Sequence, residues 1–427
     1  MKNYKINTKC IQSGYEPKNG EPRQLPIYQS TTYKYDSSQE MAQLFDLTKE
    51  GHMYTRISNP TVDAVEKKIA DLEGGVGAMC TSSGQAASLI SVLNIAEAGD
   101  NILSLATIYG GTTNLFSVTL KKMGIETRFI TLDMDENEIK KLVDDKTKLF
   151  FSETIANPAL YVLDIEKYAN IAHKLQIPLI VDNTFATPIL CRPIEHGADI
   201  VIHSTTKYMD GHATVVGGVI VDSGNFDWNV DNKYPGLTTP DDSYHGVIYT
   251  KQFGKAAYIV KARTQLMRDL GSTPQPMTAF LLNLGLETLA LRIVRHSENA
   301  LAVAKHLQTK NNIVSVSYPG LENDPSYDRA QKYLYKGYSS GVVSFKIKGG
   351  REAAQVFMDS LKLAKIVVHV ADARTSVLHP ASTTHRQLTD EQLVNCGISP
   401  NFIRFSVGIE DIEDIINDID QALEKVK

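Results

Sequence analysis

The chain has 427 residues, of which 42% are hydrophobic and 22% charged, and a formal net charge of −5. These values are typical of a globular protein of two or three domains. Both charge signs are scattered, the start of the chain is polar, and the uncharged apolar runs are short, so we expect no nucleic-acid partner, no membrane span and no secretion.

The first 60 residues lack a strong hydrophobic periodicity and are rich in Ser, Thr, Tyr and Gln, which predicts an N-terminal arm over 1–60. Asn59 and Pro60 then form a helix-start signal. Apolar residues follow at spacings of 3, 4 and 3, namely Val62, Val65, Ile69 and Leu72. Gly74 and Gly75 predict the end of this helix.

Strands and helices alternate after this first helix. Short apolar runs lie at 78–80, 101–105, 127–132, 148–152, 178–181, 199–203 and 215–221. Helical patterns lie between them, for example at 85–96 and 165–175. This alternation is typical of a mostly parallel sheet with helices on both faces. We therefore predict a large α/β domain over 61–270.

The remaining sequence predicts a smaller α+β domain over 271–427. A polar, turn-rich stretch at 223–250 indicates a surface insertion, and a long helical stretch runs from about 252 to 307 with an interruption near 271–276. Strand-like runs follow at 341–347, 366–370 and 402–407. The chain closes with an amphipathic helical pattern from Ile412 to Leu423.

A lysine and an aspartate each follow an apolar run. Lys207 has the hydroxyls of Ser204 and Thr206 three and one residues before it, and Asp182 precedes it by 25 residues. Alone, such a lysine is usually a solvated cap and such an aspartate a turn former. Because open α/β sheets bind ligands at the carboxyl ends of their strands, we expect the pair at one site. A lysine that condenses with an aldehyde and an acid that partners a ring nitrogen suit pyridoxal 5'-phosphate.

Other segments have groups that suit such a cofactor. Gly84 and Gln85 open a predicted helix, where backbone N–H groups can bind a phosphate, although in isolation an ordinary capped Ser/Gly turn is the better explanation. Tyr109, next to two glycines, can stack on a planar ring or be a buried tyrosine. Arg56, close to Tyr54, is a phosphate ligand or a solvated loop residue.

Arg404 lies inside the apolar run 402–407. A charged side chain in such a run is costly unless it is paired. It therefore points outward from an edge strand or binds a carboxylate, and an amino-acid substrate has one.

The cysteines and histidines do not form a metal-binding pattern. The four cysteines are far apart and none forms a CxxC pair; they are Cys10, Cys80, Cys191 and Cys396. His379 and His385 do not match HExxH. We expect no metal, no disulfide framework and a reducing cytoplasm.

Seven segments, in this order, resemble the cystathionine γ-synthase-like family of Cys/Met-metabolism pyridoxal phosphate enzymes. They are YTRISNPT at 54–61, SSG at 82–84, ETIANP at 153–158, DNTF at 182–185, STTKY at 204–208, HPASTTH at 379–385 and RFSVG at 404–408. The resemblance covers nearly the whole chain. It implies an aspartate aminotransferase-like (fold type I) architecture with a mostly parallel seven-stranded sheet and pyridoxal 5'-phosphate as cofactor.

The resemblance also implies a role for each site residue. Lys207 would bind the cofactor aldehyde covalently and move protons, Asp182 would hold the ring nitrogen, and Tyr109 would stack on the ring. Asn157 would lie near the ring hydroxyl and contribute to substrate binding. The phosphate would be held by Gly84, Gln85, Ser204 and Thr206. The substrate carboxylate would be bound by Arg404 and the backbone around Thr375.

The arm has a separate implied role. In the family, the segment with Tyr54 and Arg56 reaches the cofactor site of a neighbouring subunit, which makes Tyr54 a catalytic candidate alongside Lys207 and Tyr109. The resemblance therefore implies an obligate dimer, commonly doubled to a tetramer as a dimer of dimers.

Within the family, the segments 109–116, 234–246 and 372–380 resemble members that act on O-acetyl-L-homoserine and sulfide. This implies a γ-replacement in methionine biosynthesis that forms L-homocysteine and acetate, or methionine when methanethiol replaces sulfide. Gly111 stands where methionine γ-lyases tend to have cysteine. Arg374 and Thr375 stand where cystathionine synthases and lyases usually have a Glu-Ser pair. A lyase or cystathionine γ-synthase activity, and a non-catalytic scaffold, remain alternatives.

Overall fold

Two β-sheets organise the chain in the computed structural model, which describes residues 4–383, 386 and 399–426. The first sheet consists of β1 (Gly77–Thr81), β2 (Asn101–Leu105), β3 (Glu126–Ile130), β4 (Thr147–Glu153), β5 (Leu179–Asp182), β6 (Ile200–His203) and β7 (Gly218–Asp222). Their order across the sheet is β1-β7-β6-β5-β4-β2-β3, and only β7 runs against the others. This confirms the predicted seven-stranded, mostly parallel sheet.

Burial on both faces explains why these strands are recognisable in the sequence. Every residue of β2, β6 and β7 is buried. A strand that is covered on both sides is apolar along its whole length rather than at alternate positions. Each of the seven predicted apolar runs overlaps one strand of the sheet.

Helices of the first 270 residues surround this sheet. They are α1 (Ile6–Gln12), α2 (Ser38–Phe45), α3 (Pro60–Glu73), α4 (Gly84–Leu93), α5 (Gly110–Asn114), α6 (Glu136–Lys141), α7 (Ile165–Lys174), α8 (Thr187–Leu190), α9 (Pro235–Thr238), α10 (Tyr249–Phe253), α11 (Ala257–Lys261) and α12 (Arg268–Leu270), with π-helical turns at Leu115–Leu120 and Ala262–Met267. Short 3₁₀ turns lie at Pro193–His196, Val230–Asn232, Asp242–Tyr244 and Gly254–Ala256.

Helix α3, the first one predicted, begins and ends where Asn59-Pro60 and Gly74 predict. The Asn59 side chain accepts a hydrogen bond from the N–H of Thr61, and Pro60 is the first helical residue. Gly74 has a φ of +83°, which is a left-handed conformation that glycine adopts without a steric cost.

A second, five-stranded sheet lies in the C-terminal part. Its strands are β8 (Ile313–Ser317), β9 (Val342–Ile347), β10 (Lys365–Ile366), β11 (Ser376–Leu378) and β12 (Phe402–Ser406), in the order β10-β11-β12-β9-β8. Its helices are α13 (Pro276–Gln308), α14 (Tyr327–Tyr333), α15 (Gly350–Ser360) and α16 (Ile412–Leu423), with 3₁₀ turns at Tyr335–Gly337 and Pro380–Ser382.

The sequence-based prediction for this part is partly wrong. The short strands β8 and β11 were not predicted, and the run at 366–370 forms only the two-residue strand β10 before it turns toward the first sheet. No residue of β8 is buried and β11 has three residues, so neither leaves a strong apolar pattern. The predicted residues Thr384, His385 and Cys396 lie outside the described residues.

The arm and the predicted insertion are more ordered than their composition indicates. The arm contains α1 and α2, and Cys10 of α1 is fully buried. The stretch 223–250 is not only a surface insertion, because the rings of Trp228, Tyr234 and Tyr244 are buried. Aromatic residues spaced among turn residues have no helical or strand period, so the sequence pattern did not reveal their burial.

Helix α13 connects the two cores. Its first half packs into the core of the first sheet, through Leu282, Leu286 and Ile293, and its second half packs into the other core, through Val303 and Leu307. Among the described residues it is the one helix long and apolar enough to cross a bilayer by length and composition. Buried core helices pass the same test, so this finding is weak evidence for a membrane span.

A contact between α13 and the segment 204–211, which we call the lysine loop, predicts a stability effect. A Cβ added at Gly285 would lie 2.4 Å from the carbonyl oxygens of Met209 and Asp210. Gly285→Ala should force helix and loop apart and lower the free energy of unfolding by about 1–3 kcal/mol.

Urea denaturation measures this change. Arg295→Ala, at an exposed position of the same helix, is the matched control and should change the free energy by less than about 0.5 kcal/mol. Equal stability of Gly285→Ala and the unchanged protein would contradict the close contact.

Candidate active site

A cavity of about 760 Å³ lies where the carboxyl ends of β4, β5 and β6 meet the second sheet. Nine of the twelve residues predicted for the site line it: Gly84, Gln85, Tyr109, Asn157, Asp182, Ser204, Thr206, Lys207 and Arg404. A smaller cavity of about 290 Å³, beside His173 and Asp199 at the amino edge of the sheet, contains none of them. We therefore take the larger cavity as the candidate active site.

Lys207 lies in the lysine loop directly after β6. The loop is held in place by Arg292, which is buried and donates a hydrogen bond to the carbonyl of Tyr208 at 2.8 Å. The Tyr208 hydroxyl in turn accepts one from the N–H of Gly341 at 2.9 Å. Burial, and then the positive charge of Arg404, lowers the pKa of Lys207 to about 8.

Two carboxyl groups lie side by side at the carboxyl edge of the sheet, Glu153 buried and Asp182 half-buried. Asp182 of β5 pairs in register with Glu153 of β4. Asp182 accepts hydrogen bonds through Oδ1 from the N–H and hydroxyl of Thr184. Within the described part of the chain, no hydrogen bond reaches Oδ2, so this oxygen is available to a ligand.

Both carboxyl groups are harder to ionise than usual. Burial raises the pKa of Asp182, and burial followed by the negative charge of Asp182 raises the pKa of Glu153 well above its ordinary range. A cation beside Asp182 would lower the pKa of this carboxyl group again. A protonated ring nitrogen supplies such a cation, so the observed environment suits the predicted cofactor.

Glu153 is a site residue that sequence reasoning did not single out. Its carboxylate accepts hydrogen bonds from the backbone N–H of Tyr109 at 2.7 Å and of Asn157 at 3.2 Å. Glu153 therefore connects the loop of Tyr109, the predicted stacking residue, with the loop of Asn157, the predicted residue at the ring hydroxyl. Its place in the ETIANP segment was the available signal.

The start of α4 and the lysine loop form a close-packed cradle. A Cβ added at Gly84 would lie 2.6 Å from Cβ of Ser204, so only glycine allows this approach. The side chain of Ser83 caps the helix by accepting from the N–H of Ala86. The first N–H groups of a helix have no acceptor within it. Together with Ser204 and Thr206, these groups suit a phosphate.

Arg404 supplies an uncompensated positive charge. Its side chain is buried, its Nη2 donates to the carbonyl of Val368 at 3.0 Å, and its Nη1 lies 3.4 Å from Oδ1 of Asn157. Its Nε has no hydrogen-bond partner, and no ion pair to it exists within residues 4–383, 386 and 399–426. Burial lowers its pKa to about 10. A carboxylate from a ligand is the group that this guanidinium lacks.

Three predicted residues do not line the cavity. Tyr54 is 41% exposed in the arm, and the guanidinium of Arg56 lies 5.4 Å from the centre of its ring. Their assignment to a neighbouring subunit's site stays a prediction. Thr375 does not line the cavity. Its N–H and hydroxyl both donate to the carboxylate of Glu410, at 2.7 and 2.8 Å.

One further titratable side chain in the cavity was missed. His369 follows β10 and contributes to the cavity wall next to Lys207. A single histidine among the valines of 367–370 was the only sequence signal. Within the described residues, no group of three His, Cys, Asp or Glu side chains suits a metal ion.

A family model described as Cys/Met metabolism PLP-dependent enzyme matches residues 7–424. The chain therefore belongs to this family of pyridoxal phosphate-dependent enzymes, as its sequence segments predicted. It is 44% identical to an O-acetyl-L-homoserine sulfhydrylase of Leptospira meyeri, over 100% of this chain and 98% of that protein. It is 47% identical to a homocysteine synthase of Schizosaccharomyces pombe, over 98% of each chain.

A solved structure agrees with these relatives. A crystal structure of a Campylobacter jejuni protein, described as an O-acetylhomoserine (thiol)-lyase, matches with a TM-score of 0.95 and 37% identity, over 99% of this chain and 100% of that one. That protein carries a pyridoxyl-lysine monophosphate. The predicted fold class and the predicted cofactor are thus confirmed.

Covalent attachment of the cofactor gives a direct test of Lys207. Borohydride reduction of the purified protein should fix the cofactor on the peptide that contains Lys207, and Lys207→Ala should abolish this label. Mass spectrometry of the digested protein locates the label.

Lys261 offers a matched control, because burial also lowers its pKa to about 8 but it bonds to Asn94 away from the cavity. Lys261→Met should keep the label on Lys207. A label on any other lysine would contradict the assignment.

Proposed function

We propose that the chain converts O-acetyl-L-homoserine and sulfide into L-homocysteine and acetate, a γ-replacement that belongs to methionine biosynthesis. The observation that carries this proposal is the placement of Lys207 and the unpaired Arg404 in one cavity beside Asp182. The relatives with printed sulfhydrylase and homocysteine synthase names support it over nearly the full chain. Methanethiol in place of sulfide would yield methionine.

Each of these side chains has a separate task in the proposed reaction. Arg404 binds the substrate α-carboxylate and thereby fixes which bonds at Cα face Lys207. The Nζ of Lys207 accepts the Cα proton, and its pKa of about 8 suits a base that must also return protons near neutral pH. Asp182 binds the ring nitrogen and Tyr109 covers the ring.

When bound in this cavity, pyridoxal phosphate supplies an electron-withdrawing ring that stabilises negative charge at the substrate carbon next to the amine. The residues of the cradle fit its phosphate: Gly84, Gln85, Ser204 and Thr206. Asn157, whose Oδ1 lies 3.4 Å from Nη1 of Arg404, would contact the ring hydroxyl and contribute to substrate binding.

The proposed assembly is a homo-oligomer, with a dimer of dimers as the expected form, in the cytoplasm. Helix α13 supports a self-association surface, since Met277, Leu284 and Leu291 recur every seven residues and are exposed by 48%, 39% and 74%. Tyr54 and Arg56 would complete the partner subunit's site.

We also propose the division into an arm (1–60), a cofactor domain (61–270) and a C-terminal domain (271–427).

The surroundings of Gly111 favour γ-replacement over the lyase alternative. A Cβ at this position would lie 2.5 Å from the ring of Tyr109 and 3.2 Å from the amide nitrogen of Gln85. A cysteine, as methionine γ-lyases tend to have here, would displace the ring that covers the cofactor. The cystathionine γ-synthase alternative differs in its thiol substrate and is separated by assay.

Product analysis decides among these activities. Steady-state rates with O-acetyl-L-homoserine and O-succinyl-L-homoserine, each with sulfide or cysteine, should be highest for the acetyl ester with sulfide. We expect kcat/KM for that pair to exceed the others by at least about tenfold, or ~1.4 kcal/mol.

Other products would contradict the proposal in recognisable ways. An oxoacid with ammonia as the main products indicates a lyase, and cystathionine indicates a cystathionine synthase. A purified protein without the yellow absorbance of a bound cofactor indicates a scaffold.

The role of Arg404 predicts a change in substrate binding. Arg404→Met should raise KM for the amino acid by about 10–100-fold, because a charge-assisted contact of about 1.5–3 kcal/mol is lost. KM for sulfide should change little. Steady-state kinetics with each substrate varied in turn measures both values.

Arg374 is the matched control, since its side chain is 74% exposed and its nearest ion-pair partner, Asp372, is 3.9 Å away. Arg374→Met should leave both KM values unchanged. If Arg404→Met behaves in the same way, Arg404 does not bind the substrate carboxylate.

A further inference from the structure

His369 lies within hydrogen-bond reach of the predicted base. The distance between its Nδ1 and Nζ of Lys207 is 3.4 Å. No other hydrogen bond or ion pair of the Lys207 amine exists among the residues that the structure describes. Among the described residues, the imidazole is therefore the one side chain that forms a hydrogen bond with the amine.

The backbone around His369 is held from two sides, so the ring position is determined by the fold. The N–H of Ala371 donates to the hydroxyl of Ser406 in β12 at 2.9 Å, and the N–H of Ala373 donates to the carbonyl of Gly211 in the lysine loop at 2.9 Å. Ala371 has a φ of +70°, a conformation that costs energy for a residue with a side chain and persists where the surroundings enforce it.

The charged groups around the ring favour one neutral form of the imidazole. Burial, followed by the positive charge of Lys207, lowers the pKa of His369 below its ordinary value of 6.5. Asp372, whose Oδ2 lies 3.8 Å from Nε2, and Asp210 act in the opposite direction, and Arg404 acts with Lys207. Nε2 makes no hydrogen bond among the described residues. When Nε2, the ring nitrogen on the side of Asp372, has the proton, Nδ1 can accept a hydrogen bond from Nζ of Lys207.

We propose that His369 is a positioning residue for Lys207: its neutral imidazole accepts a hydrogen bond from the ε-amine through Nδ1 and directs the amine toward the substrate carbon. This inference rests on the proposed function, because Lys207 is its base. A lysine has several rotatable bonds, and an acceptor at its tip restricts the amine to a few orientations.

Protonation of the ring removes this contact. When the pH falls through the pKa of His369, Nδ1 becomes a donor, and the imidazolium repels the ammonium of Lys207. Protonation of Lys207 itself lowers activity below about pH 8, and the loss of the His369 contact should make this decline steeper below pH 6.5. An uncharged side chain with an acceptor at the same place would hold the amine without this pH dependence.

The first test is the pH profile of kcat in the holoenzyme. His369→Asn places an amide oxygen near the position of Nδ1, so kcat near pH 8 should stay within about threefold of the original. The steeper decline below pH 6.5 should disappear, while the decline that Lys207 itself causes remains. His369→Leu has no acceptor and should lower kcat by about 10–100-fold, equivalent to ~1.4–2.7 kcal/mol, with a smaller change in KM.

The matched control is His306→Asn. His306 is in the last turn of α13 and bonds to Asp420 at 2.8 Å, away from the cavity, so its replacement should leave the profile unchanged. A decline below pH 6.5 that is as steep in His369→Asn as in the unchanged protein, or a normal kcat in His369→Leu, would overturn the inference.

The second test does not depend on activity. Deuterium exchange at the imidazole C2 position, followed by mass spectrometry over a range of pH, measures the pKa of His369 in the full-length protein. This pKa should lie below 6.5 and rise by at least half a unit in Lys207→Met, because the neighbouring positive charge is gone. An equal pKa in both proteins refutes the contact.

The two tests separate this inference from the proposed function. If the purified protein makes no homocysteine while the pKa of His369 responds to Lys207→Met, the proposed function fails and the contact stands. If homocysteine is formed but the pKa does not respond, the contact fails and the proposed function stands.

Discussion

The candidate active site depends on burying ionisable groups that the protein itself only partly satisfies. Lys207, Arg404, Asp182 and Glu153 all face one cavity, and burial shifts the pKa of each toward its neutral form. Taking such groups out of water costs several kcal/mol per charge unless hydrogen bonds and opposite charges compensate. Stability alone would favour apolar residues here, so the arrangement indicates selection for a ligand that supplies the missing partners.

The rest of the fold keeps these groups in position. Arg292 of α13 holds the lysine loop through the carbonyl of Tyr208, and the Tyr208 hydroxyl reaches the start of the second sheet at Gly341. Glu153 ties the backbones that carry Tyr109 and Asn157. Each anchor joins elements that are distant in sequence, so a ligand meets side chains whose positions are fixed before it binds.

The sequence predicted those features that local chemistry determines. The seven strands of the first sheet appear as apolar runs, and Asn59, Pro60 and Gly74 mark a helix at both ends. Strands β8 and β11 were missed because no residue of β8 is buried and β11 has only three residues. The buried aromatic rings of 223–250 were missed because their burial arises from tertiary packing and leaves no periodic pattern. His369 was missed because its contact with Lys207 also arises from tertiary packing: the two residues are 162 positions apart in the chain.

The incomplete pairing also explains why one cavity can hold both a cofactor and a substrate. Among the described residues, no hydrogen bond reaches Oδ2 of Asp182 or Nε of Arg404. The first suits a cationic ring nitrogen and the second a carboxylate, so the two charges select different ligand groups and fix their order across the cavity. Lys207, with one neutral contact to His369 and no ion pair in the described chain, is left free to exchange protons with the atoms between them.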